Sequence, residues 1–351
     1  MAISASATNI IPHNGADEPL LHGGELSAAR RLFPDAPRPF IDLSTGINPN
    51  PYPVPKIAAE LFARLPDSAA IASLARVAAR AYGAPSEAHV VAAPGTQILL
   101  PLVAGLARSG RAVILTPTYS EHARAAALAG HDVTEVGEIA ALTEAELAIV
   151  TNPNNPDGRL FAREDLLAVA KHLQPRGGVL VVDEAFMDVG PPGASLAGAV
   201  SRGNIVVLRS FGKFFGLAGI RLGFAVAAPA MAARLSARLG PWAISGPALV
   251  AGTKALADNA WIDTARSQLA TASRRLDAML TASAFEIVGG TTLFRLVRTP
   301  DAKMLFHHLG RAGILARIFP DNAMWLRLGL PAHEPDWQRL QIAMDAFRAG
   351  R

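Results

Sequence analysis

The chain has 351 residues, half of them hydrophobic and 18% charged, with a net charge of +4 and no cysteine. That apolar fraction excludes disorder as the main state. The missing cysteines exclude disulfides, iron–sulfur clusters, thiol nucleophiles and Cys-type zinc sites.

The charge is dispersed. Five lysines stand beside 28 arginines with no run of one sign, which fits small anionic ligands better than nucleic acid. The start, Met1 to Asn14, has neither a basic region nor an apolar stretch of signal-peptide length. Val90 to Ala107 are uncharged, but Pro94, Gly95 and Pro101 interrupt them, so a buried turn and helix is expected there, not a membrane span. A soluble, cytoplasmic protein is the expectation.

Residues 1–55 are rich in Pro, Gly and Asn. Strand-length apolar runs then recur at Ala112–Leu115, Leu147–Thr151, Gly178–Val182, Ile205–Leu208 and Gly223–Ala227. None alternates with polar residues, which predicts strands buried on both faces. Helical segments lie between several of them, at Ser120–Ala129 and Arg163–Leu173. The alternation predicts an α/β domain over 50–243 with a mainly parallel central sheet. Ala251–Leu280 reads as one long helix. Phe285–Val288, Thr292–Val297, Asp301–Ala312, Ile314–Ile318, Trp325–Leu328 and a helix from Pro335 follow. With residues 1–49, residues 244–351 are expected to form a smaller α+β domain, the boundary falling near Pro241–Pro247.

Several strand ends carry chemistry. Lys213, in Ser210-Phe-Gly-Lys213, follows an apolar run among small residues. Partial desolvation there would lower its proton affinity and make it a nucleophile toward aldehydes. A solvated loop lysine is the plain alternative. Phe214 and Val207 exclude a phosphate-binding P-loop, and no later Lys-Thr-Gly supports a serine acyl-enzyme. Asp183 ends another run, as an acid facing a protonated ring nitrogen or as a helix cap. Thr151 to Gly158, with two Asn-Pro units, is a rigid turn that either caps the next helix or aims an amide into the same cleft. Gly95-Thr96 opens a helix beginning near Ile98, whose N-terminus would suit an anion. Tyr119 follows a further strand and could stack on a planar ligand or belong to the core.

In this order, Gly-Thr, Pro-Thr-Tyr, Asn-Asn-Pro-x-Gly, Asp-Glu-Ala-Phe and Ser-x-x-Lys with Arg221 eight residues on, the motifs over about residues 40–335 resemble the fold-type-I, aspartate-aminotransferase-like family of pyridoxal-phosphate (PLP) enzymes. The resemblance implies that Lys213 binds PLP covalently and shuttles protons, and that Asp183 keeps the pyridine nitrogen protonated. It implies that Asn155 bonds the ring oxygen and Tyr119 stacks on the ring. Ser210, Arg221, Gly95 and Thr96 would hold the cofactor phosphate, and Arg327 and Gly46 the substrate carboxylate. Relatives often have Tyr where Phe186 stands. Many histidinol-phosphate aminotransferases have a Tyr where Leu65 stands, which reaches the neighbouring subunit's cofactor.

The N-terminal stretches His22-Gly23-Gly24-Glu25-Leu26 and Ile41 to Pro49 closely resemble threonine-phosphate decarboxylases of cobalamin biosynthesis. Those lyases convert L-threonine O-3-phosphate to (R)-1-amino-2-propanol O-2-phosphate. His22, Gly23 and Arg317 would then hold the substrate phosphate. A histidinol-phosphate aminotransferase, or a related class I/II aminotransferase, is the alternative. The two differ in whether the substrate carboxylate lies in or out of the cofactor plane, an angle sequence cannot show. A silent scaffold is a third reading, opposed by the intact Lys213, Asp183 and Arg221. No metal, nucleic acid or membrane partner is expected. A homodimer is expected, as the family usually builds its site between two copies.

Overall fold

The computed structural model describes residues 22–350. The reading of Met1–Asn14 lies outside them. Seven strands form the central sheet, in the spatial order Val90–Ala93, Gly223–Ala227, Ile205–Ser210, Val179–Asp183, Leu147–Thr151, Arg111–Leu115 and Asp132–Val136. All run parallel except Gly223–Ala227, which is antiparallel to both neighbours. Alternate residues feed opposite cores: Leu180, Val182 and Val207 pack on one side, and Val179, Val181, Val206 and Leu208 on the other. The inner strands are thus apolar along most of their length because both faces are covered, with polar residues at their ends. Arg163–Leu173 buries Leu166, Val169, Ala170 and Leu173, the face its periodicity predicted.

A second, antiparallel sheet has the order Arg317–Phe319, Asn322–Gly329, Phe294–Arg298 and Glu286–Thr291. It meets the central domain at the Asn-Pro turn. A Cβ on Gly158 would lie 2.0 Å from the Gly290 carbonyl oxygen, and one on Gly289 would lie 2.0 Å from that of Asp157. Backbone touches backbone there, which only glycine permits.

Three sequence expectations need correction, and one strand was not foreseen. Ala251–Leu280 is not one helix: Gly246–Ala257 ends and Asn259–Ala282 begins at Asp258, whose side chain accepts from Trp261 N. Ile314–Ile318 is not one strand. Ile314–Leu315 pairs in parallel with Ile41–Asp42, whereas Arg317–Phe319 joins the antiparallel sheet. Val90–Ala107 contains a strand as well as the expected helix, which starts at Thr96. The polar edge strand Asp132–Val136 shows no apolar run and was not anticipated. Among the described residues no helix is long and apolar enough to cross a membrane.

Candidate active site

Parallel strands present their carboxyl ends along one edge of the sheet, where open α/β folds leave a crevice. In this register Thr151 pairs with Asp183, and Asp183 with Leu208, two residues before Ser210. A cavity of about 540 Å³ opens there. It is lined by His22, Gly23, Gly95, Thr96, Tyr119, Asn155, Asp183, Ser210, Lys213, Arg221, Arg317 and Arg327. Of the predicted site residues only Gly46 is outside this lining. A Cβ on it would meet the Phe294 and Phe186 rings, and its neighbours Ser44 and Thr45 line the cavity in its place.

One end of the cavity is built for an anion. Gly95, at φ +87°, turns the chain into the helix Thr96–Ala104, which has no side-chain cap. Its first N–H groups and dipole attract negative charge. A Cβ on Gly95 would lie 2.6 Å from an Arg221 guanidinium nitrogen, so the arginine sits directly against this turn. Gly223, opposite Ser210 in the sheet, is equally required, since a Cβ there would lie 2.6 Å from Thr96 N.

Lys213 lies in the short turn of helix Phe211–Phe214 that follows the Ser210 strand. Its Nζ donates to the Thr45 carbonyl at 3.1 Å. Burial, then the nearby Arg327, lower its pKa to about 8, with Asp183 and Asp42 pulling the other way. Asp183 is buried, and its Oδ1 accepts from Ala185 N. Its Oδ2 lies 3.0 Å from His122 Nε2.

The opposite wall carries two arginines directly across the antiparallel pair, Arg317 and Arg327. Arg327 is buried; it donates to Asn155 Oδ1 and to the Ser44 carbonyl at 2.7 Å, while its Nε has no partner. Burial and Arg317 both push its pKa down. Burial, Glu121 and Asp183 push the Tyr119 phenol up to about 12, so it stays a neutral donor, here to Gln97 Oε1 at 3.1 Å. His22 Nε2 stands 3.7 Å from Glu121.

The Asn-Pro turn does not cap the next helix, Arg163–Leu173, whose N-terminus has no side-chain cap; it is the cleft reading that the geometry fits. Asn152 and Asn154 are spent on the turn, bonding Phe161 and Asp157, and Asn155 faces the cavity. Sequence reasoning missed His122, which stands with Thr151 behind Asp183. Its position in the first turn of the helix that follows Tyr119 was the available signal. It also missed Ser44, which lies inside the Ile41–Pro49 stretch but was not singled out from it.

The family model for aminotransferase class I and II matches residues 40–344. The chain belongs to that family. It is 42% identical to a threonine-phosphate decarboxylase of Pseudomonas aeruginosa, over 94% of this chain and 98% of that one. It is 43% identical to one from Sinorhizobium sp., over 93% and 98%. A histidinol-phosphate aminotransferase of Geobacter sp. is 30% identical, over 84% and 88%. Among solved structures, the histidinol-phosphate aminotransferase from Sinorhizobium meliloti in complex with pyridoxal-5'-phosphate superposes with a TM-score of 0.81 at 22% identity, covering 93% of this chain and 95% of that one. At that identity the likeness establishes the shared fold.

Proposed function

We propose that this chain is a lyase of cobalamin biosynthesis that decarboxylates L-threonine O-3-phosphate to (R)-1-amino-2-propanol O-2-phosphate, with pyridoxal 5'-phosphate as cofactor. The residues present fit that cofactor. The glycine turn brings Arg221 against an uncapped helix start, as a Cβ on Gly95 would not allow, and Lys213 and the buried Asp183 line the same cavity. Lys213 would hold it through Nζ, with Ser210, Arg221, Gly95 and Thr96 around its phosphate. Asp183 would face the ring nitrogen, Asn155 the ring oxygen and Tyr119 the ring face.

The two facing arginines carry the substrate assignment. Arg221 stands at the glycine-turn end, while Arg327 and Arg317, paired across two strands, line the same cavity with His22 and Gly23 and bring two further positive charges to it. Threonine phosphate has those two groups on one molecule, a carboxylate for Arg327 and a phosphate for Arg317 and His22. Histidinol phosphate has a phosphate and no carboxylate. The relatives at 42–43% identity bear the corresponding name.

When bound, the cofactor supplies an electron sink for the pair left on Cα as CO2 departs. The chain's residues do the rest. Arg327 fixes the carboxylate by a planar fork, and Arg317 with His22 fixes the far end, so Cα has little freedom to move. One proton must replace the lost CO2. Lys213 Nζ, at about pKa 8, can hold it near neutral pH and release it to Cα. Phe186 and Phe294, packed edge to face beside Gly46, make that side apolar.

Incubation with threonine phosphate, measuring CO2 and aminopropanol phosphate, tests this directly. Histidinol phosphate with 2-oxoglutarate is the competing assay, and faster transamination there overturns the proposal. A cytoplasmic homodimer is part of the proposal, and the exposed Phe62 and Leu65 on one segment support it as apolar surface in need of cover. A light-scattering mass of one chain overturns that part.

A further inference from the structure

We infer that Ser44 is a positioning residue that couples recognition of the substrate's two anions, by tying the N-terminal His22–Gly24 loop to the arginine that grips the carboxylate. This rests on the substrate assignment above.

Ser44 is 1% exposed and every polar atom it has is committed. Its N–H donates to Asp42 Oδ1 at 2.9 Å and its hydroxyl donates to the same oxygen at 2.5 Å. A hydroxyl has one proton, so what remains to Oγ is acceptance, and it accepts from Gly24 N at 2.8 Å. Its carbonyl accepts from Arg327 at 2.7 Å. One residue therefore touches the loop with its side chain and the arginine with its backbone. The loop also lies directly on this peptide, since a Cβ on Gly23 would stand 2.6 Å from the Ser44 oxygen.

The mount under Ser44 is stiff. Ile41–Asp42 pairs with Ile314–Leu315, just ahead of Arg317 in the chain. Leu43 N donates to the Leu315 carbonyl, and Gly329 N to the Leu43 carbonyl. The strands bearing Arg317 and Arg327 are thereby joined to the segment that holds the loop. An ordinary turn at Asp42 would explain the Asp42 bonds but not the acceptance from Gly24.

Ser44→Ala deletes the hydroxyl's bonds to Gly24 and Asp42 and leaves the backbone bonds, N–H to Asp42 and carbonyl to Arg327, in place. Gly24 is exposed, so water can take its N–H and the variant should fold, as cofactor absorbance and melting temperature would verify. Should it not fold, Ser44→Cys, similar in shape with a weak acceptor, is read in the same way. The affinity for threonine phosphate is measured by calorimetry in a Lys213→Ala background, which does not turn over. Loss of the hydrogen bond that reaches the loop should weaken it by about two- to tenfold. Affinity for threonine, which lacks the phosphate, should change by less than about twofold. Adding Ser44→Ala to His22→Ala should weaken binding little beyond His22→Ala alone, because both act through one loop.

Equal losses for threonine and threonine phosphate, or multiplying losses in the double variant, overturn the inference. If wild-type protein does not convert threonine phosphate while the titrations behave as stated, the substrate reaction is wrong and the coupling stands.

Discussion

The floor of the cavity stands on neighbouring strand ends of one sheet, whereas the wall opposite is collected from both ends of the chain. Asp183, Ser210 and the Lys213 turn belong to adjacent parallel strands whose cores are packed on both faces. The wall combines His22 and Gly23, the Asp42–Thr45 segment, and Arg317 and Arg327 from the antiparallel sheet. The floor is rigid by construction and shared by a family with many substrates. The wall is joined by single hydrogen bonds and one short parallel pair, and it carries the groups that read the substrate's anions. Changes in the floor should therefore abolish chemistry for any substrate, and changes in the wall should discriminate among substrates.

The largest loss is expected at Lys213. Proton transfer by a positioned side chain contributes about 10²–10⁴-fold, and Lys213→Ala also removes the covalent anchor, so turnover should fall by at least about 10⁴. Borohydride should bleach the yellow wild-type protein and leave a pyridoxyl group on Lys213. If peptide mapping finds the label on Lys56, Lys171, Lys254 or Lys303 instead, the floor has been misplaced.

Asp183→Asn should come next. Removing a preorganised electrostatic partner costs about 10²–10³ in rate, and the cofactor should remain bound, as its absorbance would report. Near-normal turnover would make Asp183 only the cap of the turn at Ala185.

His22→Ala probes the wall. A hydrogen bond to a charged group contributes roughly 1.5–3 kcal/mol, so kcat/KM for threonine phosphate should fall about ten- to a hundredfold. Cofactor absorbance should not change, because Arg221 and Ser210 lie at the other anion end. An unaltered kcat/KM would reduce the loop to a cover.

The same contrast governs what could be read from sequence. The floor was legible because strands buried on both faces are apolar along most of their length and the chemical residues sit at their ends. Glycines made the anion end legible too, Gly95 among them. The wall was legible only by resemblance. Ile41–Asp42 finds its partner Ile314–Leu315 at the other end of the chain, and two-residue strands leave no periodic trace. Arg317 lines the cavity, yet Ile314–Ile318 reads as one segment in the sequence, because an apolar run does not reveal that Ala316 divides two sheets. The break at Asp258 escaped for a related reason: helical periodicity continues on both sides of it. His122 was missed because its value comes from a tertiary contact with Asp183.

The smallest effect expected is a titration, and it tests how wall and floor meet at Lys213. Its amine is lowered to about 8 by burial first and Arg327 second, with Arg221 adding and Asp183 and Asp42 opposing. Only the neutral amine is nucleophilic. In cofactor-free protein, acetic anhydride labelling of Lys213 should therefore rise with pH and level off above about 8, whereas an ordinary lysine levels off near 10.4. A group of that pKa is roughly one-tenth neutral at pH 7, so the rise from pH 7 to the plateau should be about tenfold. Arg327→Gln removes a repelling positive charge and should move the midpoint up. Asp183→Asn removes an attracting negative charge and should move it down. Burial alone would leave both variants at the wild-type midpoint, and that result would show that the arginine wall does not tune the lysine it faces.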